Sequence, residues 1–364
     1  MPAGHRRREH FSKTAGAPDG DPDLMHTEAP PFALRVLHAL RPEPDWDTVT
    51  AADLARFRDA AERTVNSPLA RLVSGFPNRH VTIGRRRVPL PDREIPVRVY
   101  RPRRAPDATL PLVVHVHGGG FAGTATQCDW ANSHLAAALP ALVVSVEHRL
   151  LDERTSIADA ADDGWQVLAV LAARAADWGV DPARIAVAGE STGALIAALA
   201  ALRATAAGLA LRAQVLVNPA TDLTETLFEH DSLRRYPHTP TLSVPEMRVF
   251  RRLAVPPGAD ARAVSPLHAD VAGVAPALVI VPRLDPLADH SRRYAEHLRA
   301  AGVAARVAEY PGAPHAFLTL PGLVRGQARA ARAAITAFLD DQLDPRRPGP
   351  SSQVRAVSRG TEMD

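Results

Sequence analysis

A chain of 364 residues with 46% hydrophobic and 23% charged side chains is long enough for one large domain with an insertion, and its composition is that of a globular protein. The net charge is only +3, and the arginines are interleaved with Asp and Glu along the chain, which argues against a nucleic-acid partner. A single cysteine, Cys128, excludes an intrachain disulfide, no Cys/His spacing fits a structural zinc site, and no apolar run reaches the length of a membrane span.

Residues 1–30 and 343–364 are rich in Pro, Gly, Arg and Asp without apolar periodicity, and disorder is expected in both. The basic run RRREHFSK is not followed by an apolar segment, so a soluble, cytoplasmic protein is expected. Residues 31–78 read as helices of an N-terminal cap. Within them Thr50 precedes Asp53 in a capping pattern, and apolar residues follow at helical spacing. HVTIGRRRVPL and EIPVRVYRP alternate apolar and polar residues, as a half-exposed hairpin does.

From there the rhythm changes. PLVVHVH, ALVVSVE, RIAVAG, AQVLVNP, ALVIVP and AARVAEY are near-continuous apolar runs of strand length, most of them separated by helical stretches. That alternation predicts an α/β protein with a mainly parallel sheet covered on both faces. Residues 79–220 and 263–342 form this core. Between them, residues 221–262 hold helical fragments and no convincing strand, which predicts an inserted lid, packed together with the N-terminal helices, rather than a plain loop. Phe228, Tyr236, Met247 and Phe250 there are placed either on a substrate pocket or in the lid's own small core. Arg234, Arg235, Arg248, Arg251 and Arg252 read as a solvated face.

RIAVAGESTGALIAAL sets Ser191 between Gly189 and Gly193, after an apolar strand and before a small-residue helix. This is the setting of a nucleophile elbow, where a sharp turn lifts the serine hydroxyl above the sheet. Such a serine needs a base, and the base needs an orienting carboxylate. Asp285 follows the strand ALVIVP, and His315 follows the next strand, both at the edge where open α/β sheets build their sites. Asp289 is a rival carboxylate, better placed for service at the start of the next helix.

His117-Gly118-Gly119-Gly120 poses an ambiguity. Gly118-x-Gly120-x-x-Gly123 after a strand matches a dinucleotide fingerprint, with Glu147 near the offset of a ribose-binding acid. However, GTATQ delays the helix that a pyrophosphate loop feeds, and that reading leaves Ser191, Asp285 and His315 without a role. An oxyanion loop uses all of them: Thr192 offers the amide after the nucleophile, and the glycines offer others.

With these residues the sequence resembles the hormone-sensitive-lipase-like branch of the α/β-hydrolase esterases, over residues 97–338. Its motifs arrive in order: His117-Gly118-Gly119-Gly120-Phe121, His148-Arg149-Leu150 with Glu153, residues 189–193, Asn218-Pro219 with Thr221-Asp222-Leu223, Ser265-Pro266, Asp285-Pro286-Leu287 with Asp289, and His315 with Phe317. The resemblance implies an α/β-hydrolase fold with an eight-stranded sheet and a helical lid. It implies Ser191 as nucleophile, His315 as general base and acid, and Asp285 as its orienter. Gly119, Gly120 and Thr192 become oxyanion donors, with His117 and Gly118 supporting the loop. Members cleave carboxylic esters of short or medium acyl chains with no cofactor and no metal, so a small-molecule ester is the implied partner. An amide or lactone substrate, a non-catalytic receptor of the same fold, and a homodimer stay open. HRLLDE in place of YRLAPE, GESTGA in place of GDSAGG, and Arg283 two residues before Asp285, aimed toward the pocket, depart from the family pattern.

Overall fold

The computed structural model describes residues 30–40, 44–104 and 109–346, so most of both terminal segments lies outside the described residues. Eight strands form one sheet: β1 (Val81–Pro89), β2 (Glu94–Pro102), β3 (Leu110–Val116), β4 (Leu142–Val146), β5 (Val180–Glu190), β6 (Ala213–Val217), β7 (Ala277–Leu284) and β8 (Ala305–Pro314). Their spatial order is β1-β2-β4-β3-β5-β6-β7-β8. β1 and β2 pair antiparallel as a hairpin, β2 meets β4 antiparallel, and every pairing from β4 to β8 is parallel.

The near-continuous apolar runs follow from burial on both faces. Val114, Val116, Val144, Val187, Leu216 and Val279 point into one core with the helices Ile157–Ala173, Thr192–Ala206 and Ala288–Ala300. Their neighbours Val113, Val143, Ala186, Val215 and Leu278 point into a second core with the helices Asp129–Ala138 and Arg325–Gln342. Alternate side chains thus serve opposite faces, as the two-residue period of a strand requires. Thr50 and Asp53 close a capping box on the helix Ala51–Asn66.

The N-terminal stretch divides between the two faces. Trp46 and Leu54 join the first core, and Phe57 packs against it. Leu34 joins the second core with Val81, Tyr100 and Trp130, so the helix Phe32–Leu40 does not pack with the insertion. The backbone at Gly75 passes so close to Trp130 and Pro321 that a Cβ there would lie 2.5 Å and 2.9 Å from their rings. The insertion holds the helices Asp231–Arg235 and Val244–Ala254 and no ladder strand. No helix of the described residues is long and apolar enough to cross a membrane.

One buried carboxylate joins two loops to the first face. Asp163, fully buried in the helix Ile157–Ala173, accepts from Arg93 Nη2 at 2.8 Å, Arg149 N at 2.9 Å and Arg149 Nε at 3.0 Å. Arg93 follows the turn between β1 and β2, and Arg149 lies in the loop after β4. Removing the carboxylate leaves these donors facing an apolar gap. Asp163→Ala is expected to cost about 2–3 kcal/mol of stability, below the full value for a buried pair because both arginines reach solvent. Urea unfolding monitored by circular dichroism checks this.

Candidate active site

Four strands deliver the predicted residues to one edge of the sheet. Ser191 is the first residue after β5, Asp285 the first after β7, His315 the first after β8, and His117 the first after β3. Ser191 has φ +55° and ψ −120°, a conformation L residues rarely adopt. It holds because the strand must turn into the helix Thr192–Ala206 within one residue. A Cβ at Gly189 would lie 2.2 Å from Gly193 O, and one at Gly193 2.1 Å from Val116 O, so neither flanking position accepts a side chain.

His315 Nε2 lies 2.8 Å from Ser191 Oγ, and its Nδ1 lies 2.8 Å from Asp285 Oδ2. The other Asp285 oxygen accepts from Leu287 N at 2.8 Å. The Asn218 side-chain amide stands 3.4 Å from His315 Nε2. Asp285 and His315 are buried, whereas Ser191 is partly exposed to a cavity of about 250 Å³. Burial opposes charge on the His315 ring. The Asp285 carboxylate, by charge and by hydrogen bond, and then Glu190 and Glu246 outweigh it, raising the imidazole above its ordinary 6.5. Asp289 stays out of this group: it accepts from Ser232 N at 2.8 Å and from Arg292 Nη1 at 3.0 Å in the first turn of its helix.

The residues 118–120 border the same cavity. Gly119 takes φ +81°, and its carbonyl accepts from Ala122 N at 3.0 Å and Gly123 N at 2.7 Å, closing a tight turn. The amides of Gly119 and Gly120 donate to no other described residue, and the Thr192 amide opens a helix, where no intrahelical acceptor exists. All three are thus available to a bound group.

Supports for this loop come from residues the sequence reading placed elsewhere or passed over. Glu147, weighed as a ribose acid, accepts from Ala125 N at 3.0 Å and stands 3.4 Å from His117 Nε2. His148, where the family pattern has tyrosine, stacks on His117 at 4.4 Å, and burial lowers it to about 4. Arg58 donates from Nε to Phe121 O at 3.0 Å and from Nη2 to Leu151 O at 2.8 Å. Leu151 N in turn donates to Gly120 O at 2.8 Å. Nothing local in the sequence marks Arg58, whose partners lie more than 60 residues away.

The lid candidates separate. Met247 and Phe250 line the cavity, with Leu223, Leu227, Leu242 and Leu287. Phe228 packs in the insertion's own cluster beneath Arg248, and Tyr236 lines no part of the cavity. Arg234 pairs with Asp231 and Arg251 with Glu225, and none of the five insertion arginines reaches the cavity. Arg283 does not line it either: the residue is exposed.

Comparison with known proteins places the chain in a family. Residues 113–319 match the family described as the alpha/beta hydrolase fold. The chain is similar to carboxylesterase NlhH of Mycobacterium tuberculosis, with 35% identity over 67% of this chain and 78% of the relative. It is also similar to esterase LipI of the same species, with 32% identity over 85% of this chain and 93% of the relative. Among solved structures, a thermostable esterase from Pseudomonas putida superposes with a TM-score of 0.75 at 26% identity, covering 91% of this chain and 99% of that one.

Gly123, the last glycine of the fingerprint pattern, packs directly against the glycine loop. A Cβ there would lie 1.9 Å from Gly118 O, so even alanine forces the glycine loop to move. Gly123→Ala is expected to displace residues 118–120 in a crystal structure. Ester turnover should fall about tenfold or more, since displaced donors lose their aim.

Proposed function

The chain belongs to the α/β-hydrolase fold family and is a carboxylic ester hydrolase, and we propose that it acts through a Ser191–His315–Asp285 triad and an oxyanion hole of Gly119, Gly120 and Thr192. The observation that carries this reading is the pair of 2.8 Å contacts at His315, beside a glycine loop with two undonated amides.

Ser191 Oγ attacks the ester carbonyl carbon while its proton passes to His315 Nε2. Asp285 holds the Nδ1–H and stabilises the imidazolium that forms. The carbonyl oxygen becomes an oxyanion facing the three amides, at the N-terminus of a helix whose dipole favours negative charge. Collapse expels the alcohol, which takes its proton from His315. Water then attacks the acyl-enzyme with His315 again as base, and the acid leaves with Ser191 restored. Each step uses only protein groups, ester and water.

The helix Ala51–Asn66, Trp46 before it and the insertion 221–262 serve as the lid. Trp46 meets Phe57 at 5.7 Å and Phe121 at 6.0 Å, joining the lid to the glycine loop. Phe250 comes down on the other side, where a Cβ at Gly120 would lie 2.7 Å from its ring. A cavity of about 250 Å³ with mainly leucine, Met247 and Phe250 walls suits small esters with short to medium acyl chains.

Ser191→Ala is expected to remove nearly all turnover of activated esters while the unfolding transition is retained. A fluorophosphonate should label Ser191 in the parent chain and leave the variant unlabelled; labelling elsewhere, or turnover that survives, would overturn the triad.

His315 must be neutral to accept the serine proton, and its folded value lies above 6.5. The protonated, inactive form therefore persists to higher pH than for a free histidine, and kcat/KM should rise through a midpoint above 6.5 to a plateau on the alkaline side. A midpoint at or below 6.5 would contradict the carboxylate environment described for this ring.

A further inference from the structure

Behind the elbow lies a second cavity of about 40 Å³, lined by Gly189 and Glu190 but not by Ser191. Its polar lining comes from His115, Cys128, Asn132, Glu190, Thr319 and Arg332. Two of these residues hold unpaired atoms. Glu190 Oε1 and Asn132 Nδ2 are both buried, with residue exposures of 3% and 2%, and neither has a hydrogen-bond partner among the described residues. One is an acceptor and the other a donor, and both line this one space. Leaving a buried carboxylate oxygen and a buried amide unsatisfied costs several kcal/mol in an apolar interior. A cavity needs about 10–15 Å³ to take one water, so this one has room for two or three.

Glu190 also borders the substrate cavity, together with His315. It immediately precedes Ser191, and its backbone carbonyl lies against the glycine loop, 2.9 Å from where a Gly118 Cβ would stand. Its side chain thus connects the rear cavity to the catalytic imidazole.

We propose that the rear cavity is an internal hydration site, in which water bridges the Asn132 amide to the Glu190 carboxylate and keeps Glu190 as a charged neighbour of His315, making it a positioning residue for the proton transfer. The surrounding groups leave that role to Glu190. His115 is held neutral by burial, down to about 3, and the Cys128 thiol is pushed well up by burial. Arg332 is engaged over the Trp130 ring at 4.7 Å. On the substrate side, His315 faces Asp285 and Glu246 as well as Glu190. Burial raises the Glu190 carboxyl to about 7, with His315 opposing the shift. Water donors in the rear cavity stabilise the anion against that burial, so that it persists through the pH range where His315 titrates.

The inference rests on the triad reading, and two readouts separate its failure from failure of the triad. The first is the pH profile of kcat/KM. Glu190→Gln keeps the shape and removes the charge, so the alkaline-rising limb should move to lower pH by about half a unit or more. Activity well below the limb, relative to the plateau, then rises about threefold. Asn132→Leu should move the limb the same way by less, because it leaves the carboxylate but removes its bridge. Effects on stability alone lower the unfolding midpoint and leave the limb where it was. An unmoved limb in folded Glu190→Gln overturns the positioning role, whereas loss of the phosphonate adduct at Ser191 overturns the triad. The second readout is a high-resolution crystal structure of the parent chain. Ordered water within hydrogen-bond distance of both Glu190 Oε1 and Asn132 Nδ2 is expected; a dry cavity, or a direct Glu190–Asn132 bond, overturns the hydration site.

Discussion

The reversal at Ser191 is the constraint on which the rest of the site depends. A strand becomes a helix within one residue, and that residue is held at positive φ by its surroundings. The surroundings are demanding. Gly189 must pass under Gly193, and Gly193 must pass under the end of β3, with no room for a Cβ at either place. β3 therefore has to be the neighbour of β5, which the parallel register of Val116 against Gly189 provides. That adjacency also fixes where the chain leaves β3, and so sets the glycine loop beside the hydroxyl. The central strand order and the position of the glycine loop are two consequences of one packing requirement.

Donors that stay available for a substrate cannot hold their own loop in place, and the loop is held from outside. Gly120 offers its carbonyl to Leu151 N, Gly118 offers its carbonyl to His117 Nδ1 at 2.9 Å and to Gln127 Nε2 at 3.3 Å, and Phe121 offers its carbonyl to Arg58. The carbonyls are anchored and the amides of Gly119 and Gly120 are left over. Leu151 is positioned in turn by the loop that Arg149 secures on buried Asp163. A substitution 30 or more residues from the glycine loop can thus reach it through the polar groups that fix its carbonyls. Preorganisation of this kind is what makes amide donors effective at the moment charge develops.

The strands, and the meeting of Ser191, Asp285 and His315 at one sheet edge, were legible because their signals are local: apolar runs of strand length, a serine between glycines, an acid and a histidine at successive strand ends. Thr50 and Asp53 were legible as a cap for the same reason. The insertion was visible as a break in the alternation, but its packing was not. Phe250 and Phe228 look alike in the sequence, and only the direction in which the helix Val244–Ala254 lies against the glycine loop gives one to the cavity and the other to the insertion's own core. The helix Phe32–Leu40 was read with the other N-terminal helices as part of the cap; Leu34 instead sits in the second core, in one cluster with Val81 and Tyr100. Glu147 shows the same limit from the chemical side. An acid at the end of β4 has the spacing of a ribose ligand and the contacts of a loop brace, and spacing alone does not distinguish the two.

Three carboxylates surround one imidazole, and they do different things. Asp285 is in contact, fully buried and oriented by the Leu287 amide, so it fixes the tautomer as well as the charge. Glu190 and Glu246 act on His315 by charge alone, one from behind the nucleophile and one from the insertion side of the cavity. Desolvation by itself would lower the His315 imidazole; the summed negative field reverses that, in the direction that the proposed transfer of the Ser191 proton requires. The same field works against the oxyanion of the proposed mechanism, which would form close to these charges. Amides at a helix N-terminus and in a braced glycine loop answer this, because they present positive dipoles to the oxyanion without adding a cation that would lower the histidine. Arg234 and Arg251 are paired with Asp231 and Glu225, and none of the five insertion arginines borders the cavity, which leaves that balance undisturbed. The site therefore separates its two electrostatic tasks by direction: side-chain carboxylates on the imidazole side, backbone dipoles on the carbonyl side, with Ser191 at the boundary.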